Sequence, residues 1–153
     1  MDGTAISRRV LWVLGPLLIA TGVLGFVLPP SLALMSGAAA YNWFHIAFGL
    51  VGTAIVASGR ARATAIFNLG FGAFDLWQAA AGPTHLWPSA LFDLRIADHI
   101  VHVLFGAVLV LVGARGLPSA DVRRTGEEPA VSPPPGAEQA GEGDAPRLRG
   151  RGD

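Results

Sequence analysis

Three histidines and one aspartate lie within long apolar stretches of the sequence, where ionisable residues are uncommon. His45 lies in an early stretch, His99 and His102 lie together in the last one, and Asp75 lies between them. A carboxylate with nearby imidazoles can form a structural hydrogen-bonded cluster, exchange protons near neutral pH, or ligate a metal ion or haem iron. These residue types therefore allow three kinds of chemistry.

The sequence contains the same short pattern twice. His45 and Gly49 begin and end one copy of His-x-x-Phe-Gly, and His102 and Gly106 begin and end the second copy. Because the spacing is identical, we predict that the chain is built from two related halves.

The composition indicates a membrane protein. The 153 residues are 52% hydrophobic, and the formal net charge of zero hides a nearly neutral apolar body followed by a polar tail. This body is too apolar for a soluble domain of its size. Cysteine is absent, which excludes disulfides, thiolate metal sites and cysteine nucleophiles.

Four apolar segments are long enough to cross a hydrocarbon core of about 30 Å at about 1.5 Å per residue. They cover residues 10–28, 41–58, 63–81 and 96–113. The third segment is the least apolar, because it contains Asn68, Asp75 and Gln78. We therefore predict an all-α polytopic membrane protein. Its residues 1–115 form four transmembrane helices, in a compact bundle built from two related helical hairpins.

The arginines predict the orientation, because cytoplasmic segments of membrane proteins hold an excess of basic residues. One predicted side of the membrane has Arg8, Arg9, Arg60, Arg62, Arg115, Arg123 and Arg124. Both termini are thus expected in the cytoplasm. The abundance of alanine, glycine and arginine is typical of a bacterial protein, so we expect the bacterial inner membrane. Tyr41 and three tryptophans fit the aromatic belts at the two membrane interfaces.

Residues 116–153 have a different composition, dominated by proline, glycine, glutamate, alanine and arginine. Such a segment has too little apolar surface to offset the entropy lost on ordering. We predict a disordered cytoplasmic tail.

Small residues share one face of each predicted span, because positions three or four apart are neighbours on a helix. Gly22 lies on such a face in the first span, Gly49 and Gly52 in the second, Gly72 in the third and Gly106 in the fourth. We call these faces of small residues seams. They predict close helix packing, which membrane helices achieve through small residues.

The predicted topology brings His45, His102 and Asp75 to similar depth in the outer leaflet, and three further polar residues lie nearer the surface. The candidate intramembrane polar cluster comprises His45, Asp75, His102, His99, Asn42 and Asp98. A carboxylate within the membrane is costly, by about 2.5 to 3.5 kcal/mol, so Asp75 is expected to face the interior. We expect His45 or His102 to be its partner.

Three functions remain open for this cluster. The leading hypothesis is a structural or interaction component of the membrane, in which hydrogen bonds between helices contribute about 0.6 to 2 kcal/mol each. The alternatives are a proton-linked or small-solute transport component, and a metal- or haem-binding protein with His45, His99 and His102 as ligands.

No catalytic motif is found, so we do not expect an enzyme, and we predict no cofactor. Nucleic-acid binding is not expected, because no basic patch is interleaved with aromatic residues. The expected partners are membrane lipids and either a second copy of the chain or another membrane protein, while the substrate is unknown.

Two motifs resemble an uncharacterised family. One is Asn-x-x-His-x-x-x-Gly-x-x-Gly in the second span, and the other is Asp-x-x-x-His-x-x-x-Gly in the fourth. They are matched by Asn42, His45, Gly49 and Gly52, and by Asp98, His102 and Gly106. Over residues 8–115 the chain resembles the four-helix bacterial membrane family called domain of unknown function 4383. The resemblance implies four helices and no activity, and His99 departs from the polar residue, such as asparagine, expected there.

Overall fold

The structure is a computed structural model that describes residues 2–29 and 32–117, so most of the predicted tail lies outside the described residues. All regular elements in these ranges are α-helices. They are α1 (Gly3–Val27), α2 (Ala39–Ala57), α3 (Ala61–Thr84), the short α4 (Ser89–Phe92) and α5 (Ile96–Gly116). The all-α prediction is confirmed.

Three of the helices are long and apolar enough to cross a membrane by length and composition, namely α1, α2 and α5. α3 is not among them although it has 24 residues. Its polar residues Asn68, Asp75 and Gln78 reduce its mean hydropathy, and all three are buried against other helices. The membrane character is therefore supported by three helices.

The helix ends follow from local chemistry. The Asp2 side chain accepts a hydrogen bond from the Thr4 backbone at 3.1 Å, which caps the start of α1 seven residues before the predicted span. α2 passes to α3 through Gly59, whose φ of 71° suits glycine. α4 lies between the third and fourth predicted spans. These features arrange α1, α2, α3 and α5 as long neighbours with short connections.

The long helices pack in two close pairs, α1 with α2 and α3 with α5. A Cβ atom added to Gly49 would lie 2.7 Å from the Gly15 carbonyl oxygen, and one added to Gly106 would lie 2.9 Å from the Gly72 carbonyl oxygen. Only glycine allows backbones to approach this closely. The glycines of both contacts are related by a shift of 57 residues in the sequence.

One end of the bundle, which we call the arginine end, contains the start of α1 and the end of α5. Gly3 lies against the Arg115 backbone, and Gly116 lies against the Ser7 side chain. Near this end Asn68 donates to the Ser7 carbonyl and hydroxyl oxygens at 3.0 and 2.9 Å. Because α2 ends and α3 begins at this end too, the helices alternate in direction.

Candidate functional site

A cavity of about 210 Å³ lies toward the opposite end of the bundle and is mostly apolar. Three of the predicted cluster residues, His45, Asp75 and His102, line it together. The other lining residues are Leu14, Leu17, Leu18, Thr21, Met35, Val101 and Phe105. Three helices thus direct one ionisable side chain each to the same cavity.

A hydrogen-bonded chain begins at the cavity wall. His102 Nε2 lies 3.1 Å from the Tyr41 hydroxyl oxygen, and the Tyr41 hydroxyl donates to Asp98 Oδ1 at 3.0 Å. Since the Tyr41 proton is directed to Asp98, the Tyr41 oxygen can only accept from His102. The neutral His102 ring therefore has its proton on Nε2.

The fold supplies several hydrogen-bond donors to the Asp98 carboxylate. Its Oδ2 accepts from the backbone nitrogens of Ser36, at 2.9 Å, and Arg95, at 2.8 Å. The Ser36 hydroxyl donates to the Phe92 carbonyl oxygen. With the Tyr41 hydroxyl, Asp98 thus receives three donors and joins α2, α5 and the segment before α2.

Asp75 is buried but almost without partners. Its one hydrogen bond in the described residues is a long contact of 3.5 Å from Gln78 Nε2. The expected hydrogen bond from His45 or His102 is not formed within the described ranges, although all three side chains share the cavity. In the neutral form each ring has one proton, and both rings direct it to Tyr41, His45 from Nδ1 and His102 from Nε2. The remaining ring nitrogens are acceptors, so they cannot donate to the carboxylate.

The hydrogen bonds also determine which donor and acceptor atoms of the polar cavity residues could bind a ligand. His45 Nδ1 lies 2.9 Å from the Tyr41 carbonyl oxygen, which can only accept, so the neutral ring has Nε2 as a free acceptor. Nδ1 of His102 is buried and has no partner in the described residues. The Thr21 hydroxyl donates to the Leu17 carbonyl oxygen at 2.9 Å.

Asn42 and His99 lie away from the cavity and contact the neighbouring helix of their own pair. The Asn42 side chain packs against Gly25, and the His99 ring packs against Gly82. Gly25 and Gly82, like Asn42 and His99, are 57 residues apart in the sequence. Their place in the packing is therefore equivalent.

The alternative metal site is not assembled. Among residues 2–29 and 32–117, no three His, Asp or Glu side chains are grouped to hold a metal ion. His99 and His102 are three residues apart on α5, but His99 contacts Gly82 whereas His102 contacts Tyr41. The predicted set of His45, His99 and His102 thus does not converge.

Two residues of the site were not predicted from the sequence. Tyr41 was expected in an aromatic belt, but only 1% of it is exposed and it joins His102 to Asp98. Ser36 lies between the first two predicted spans and is buried beside Asp98. A signal for Tyr41 was present, because it precedes Asp98 by the same 57 residues that separate His45 from His102.

The cavity opens sideways between α1 and α5. Leu17 and Phe105 line it, and they are 45% and 40% exposed on the surface of the bundle. A neighbouring apolar cavity of about 360 Å³ shares both residues and continues to Arg9 at the arginine end. An apolar molecule could thus reach the polar residues from the side of the helices.

Comparisons with protein-family models, with curated proteins and with solved structures gave no match. The resemblance to the four-helix family therefore stays a prediction, and the site is interpreted from its own geometry.

Proposed function

We propose that the chain is a multi-pass membrane protein that binds a small solute in this cavity and exchanges a proton at Asp75, as a proton-linked transport component does. The observation that carries the proposal is the cavity itself, in which a buried carboxylate without a cationic partner faces two histidines. A buried charge without a partner is costly, so it is usually retained for function.

The proposal includes α3 as a fourth membrane span. Its polar side chains Asn68, Asp75 and Gln78 are buried, whereas Ile66 and Trp77 on the same helix are about half exposed. At about 1.5 Å per residue, its 24 residues reach across the hydrocarbon core. An apolar outside with a polar inside is the arrangement expected of a helix surrounded by lipid on one face.

Two related hairpins are part of the same proposal. The 57-residue shift relates the α1 and α2 glycine contact to the α3 and α5 contact, and it relates His45 to His102. It also relates Leu18 to Asp75, and both line the cavity. The cavity therefore lies where the two halves meet. Because Leu18 of the first half corresponds to Asp75 of the second, only the second half contributes a carboxylate to the cavity.

We place the protein in the bacterial inner membrane with both termini in the cytoplasm. The arginine end has Arg8, Arg60, Arg62 and Arg115, and basic residues favour the cytoplasmic side. The cavity then lies in the outer half of the membrane. The chain from His102 through Tyr41 to Asp98 connects the cavity wall to the segment before α2.

A structural role is the second candidate, and a specific observation favours it for one part of the site. The three donors to Asp98 connect α2, α5 and the segment before α2. This network holds the fold together, and Asp98 is fully buried within it. The structural role therefore fits Asp98 and does not account for Asp75.

Labelling with dicyclohexylcarbodiimide tests the proposed function. This apolar reagent adds to protonated carboxyl groups from the membrane phase and forms a stable acylurea. We expect Asp75 to be labelled in nanodiscs, and we expect labelling to fall as the pH rises and the carboxyl loses its proton. His45 and His102 are the other titratable side chains that line the cavity.

The chain provides an internal control for this experiment. Trypsin separates peptide 63–95, which contains Asp75, from peptide 96–115, whose one acidic residue is Asp98. Fragmentation assigns the label to Asp75 rather than Asp93, and Asp75→Asn should remove it. If Asp75 is not labelled at any pH, or is labelled equally at every pH, the proposed function is wrong and the structural role stands alone.

A further inference from the structure

The polar atoms of the cavity define the ligand, because nearly all of them can only accept hydrogen bonds. Asp75 offers carboxylate oxygens, and the neutral His45 ring offers Nε2. The Thr21 hydroxyl has already used its proton on the Leu17 carbonyl oxygen. The His102 ring donates its Nε2 proton to the Tyr41 oxygen, and its Nδ1 has no partner in the described residues. A ligand that satisfies this wall must bring hydrogen-bond donors.

The charge of the residues that line the cavity also favours a ligand with hydrogen-bond donors. Asp75 is the one acidic side chain lining the cavity, and no arginine lines it. Within the described residues no basic side chain forms an ion pair with Asp75. A ligand with a positive charge would supply the missing partner, and its N–H groups would form the short charge-assisted bonds that carboxylates favour.

The other residues that line the cavity favour a ligand with an apolar body. Leu14, Leu18 and Val101 line the cavity beside the polar residues, and the open side lies between Leu17 and Phe105. The volume of about 210 Å³ is below the range of about 300 to 1,000 Å³ that holds drug-sized ligands, so the ligand is small. The adjoining apolar cavity can hold a short hydrocarbon extension.

We infer that the cavity binds a small apolar amine in its protonated form, with a primary or secondary ammonium group against Asp75 and a hydrocarbon body between α1 and α5. This inference rests on the proposed function and names its solute. The ammonium donates to Asp75 and to His45, and the amine and a proton compete for the same carboxylate.

Binding of hexylamine to the protein in nanodiscs, measured by calorimetry near neutral pH, tests the inference. We expect hexylamine to bind and to protect Asp75 from the carbodiimide, so that the Asp75 peptide carries neither the acylurea nor a hexylamide. Hexyltrimethylammonium has the charge without N–H donors, and hexanol has a donor without the charge. We expect each of them to bind at least about tenfold more weakly than hexylamine.

Three variants control for partition of the amine into lipid. Asp75→Asn keeps the side-chain shape and should weaken hexylamine binding by at least about tenfold. Val101→Phe fills the cavity and should abolish binding, whereas Val103→Phe, at an exposed position on the same helix, should leave it unchanged. If Asp75→Asn does not fold, the comparison of Val101→Phe with Val103→Phe tests whether hexylamine binds in the cavity.

The outcomes separate this inference from the proposed function. If hexanol or hexyltrimethylammonium binds as tightly as hexylamine, or if the Asp75→Asn and Val101→Phe variants bind like the native chain, the ligand class is wrong. If Asp75 is labelled in a pH-dependent way but hexylamine gives no protection, the amine is rejected and the proposed function remains. If Asp75 shows no pH-dependent labelling, both are rejected.

Discussion

Asp75 and Asp98 are two equally buried carboxylates in very different surroundings. The exposed fraction is 4% for Asp75 and 0% for Asp98. Asp98 accepts from the Tyr41 hydroxyl and from two backbone nitrogens, whereas Asp75 has one contact of 3.5 Å with Gln78. Burial alone therefore does not identify a functional carboxylate. The number of donors that the fold supplies separates the structural carboxylate from the candidate site.

The position of each aspartate in its helix explains the difference. Asp98 lies in the first turn of α5, where backbone N–H groups have no helical partner and favour a negative charge. Asp75 lies in the interior of α3, where the backbone N–H groups are used within the helix. A carboxylate in a helix interior must find side-chain or ligand donors. In the described residues, the one hydrogen-bond donor to Asp75 is the side-chain amide of Gln78.

Removal of the Asp98 carboxylate should have the largest effect on stability. Asp98→Ala leaves three buried donors without an acceptor, so we expect a loss of about 3 to 5 kcal/mol in the free energy of unfolding. Unfolding of the detergent-solubilised protein, followed by circular dichroism, measures it. Ile100→Ala, at an exposed position two residues later, is the control and should cost much less. A similar loss in both variants would contradict the structural role of Asp98.

Loss of the Tyr41 hydroxyl should have an intermediate effect. Tyr41→Phe removes the group that joins His102 to Asp98 and leaves Asp98 with two backbone donors, so we expect a loss of about 1 to 2 kcal/mol. The same unfolding measurement applies, with Trp43→Phe at an exposed position as control. If Tyr41→Phe is as stable as the native chain, the chain from the cavity to Asp98 contributes nothing to the fold.

The sequence predicted the residues of the cavity better than their bonds. The repeated pattern placed His45 and His102 at matching positions, and helical periodicity with the cost of a buried charge directed Asp75 inward. The bonds of Asp98 could not be predicted, because they depend on the path of the segment containing Ser36. A tyrosine at the start of a span also fits an aromatic belt, so its type and position did not reveal that Tyr41 is buried.

The helices show the same limit of prediction. Hydropathy identifies α1, α2 and α5, and the seam of α1 is made mostly of glycine and leucine. The seam of α3 contains Asn68, Asp75 and Gln78, so the residues that pack it into the bundle also weaken its membrane signal. The close approach of Gly72 to Gly106 shows in the structure how α3 is held against α5. Sequence periodicity predicts the seam but not which helix it contacts.

The same substitution at the two aspartates gives the smallest expected effect and the sharpest comparison. Asp75→Asn removes a charge that has almost no partners, so we expect stability to change by less than about 1 kcal/mol, or to rise. Asp98→Asn places an amide where an oxygen accepts from two backbone N–H groups or from Tyr41, and should cost about 2 kcal/mol. Both are measured by the unfolding assay used above. A loss at Asp75 equal to that at Asp98 would show that Asp75 is held by the fold after all, and it would then no longer be the carboxylate left free for a solute.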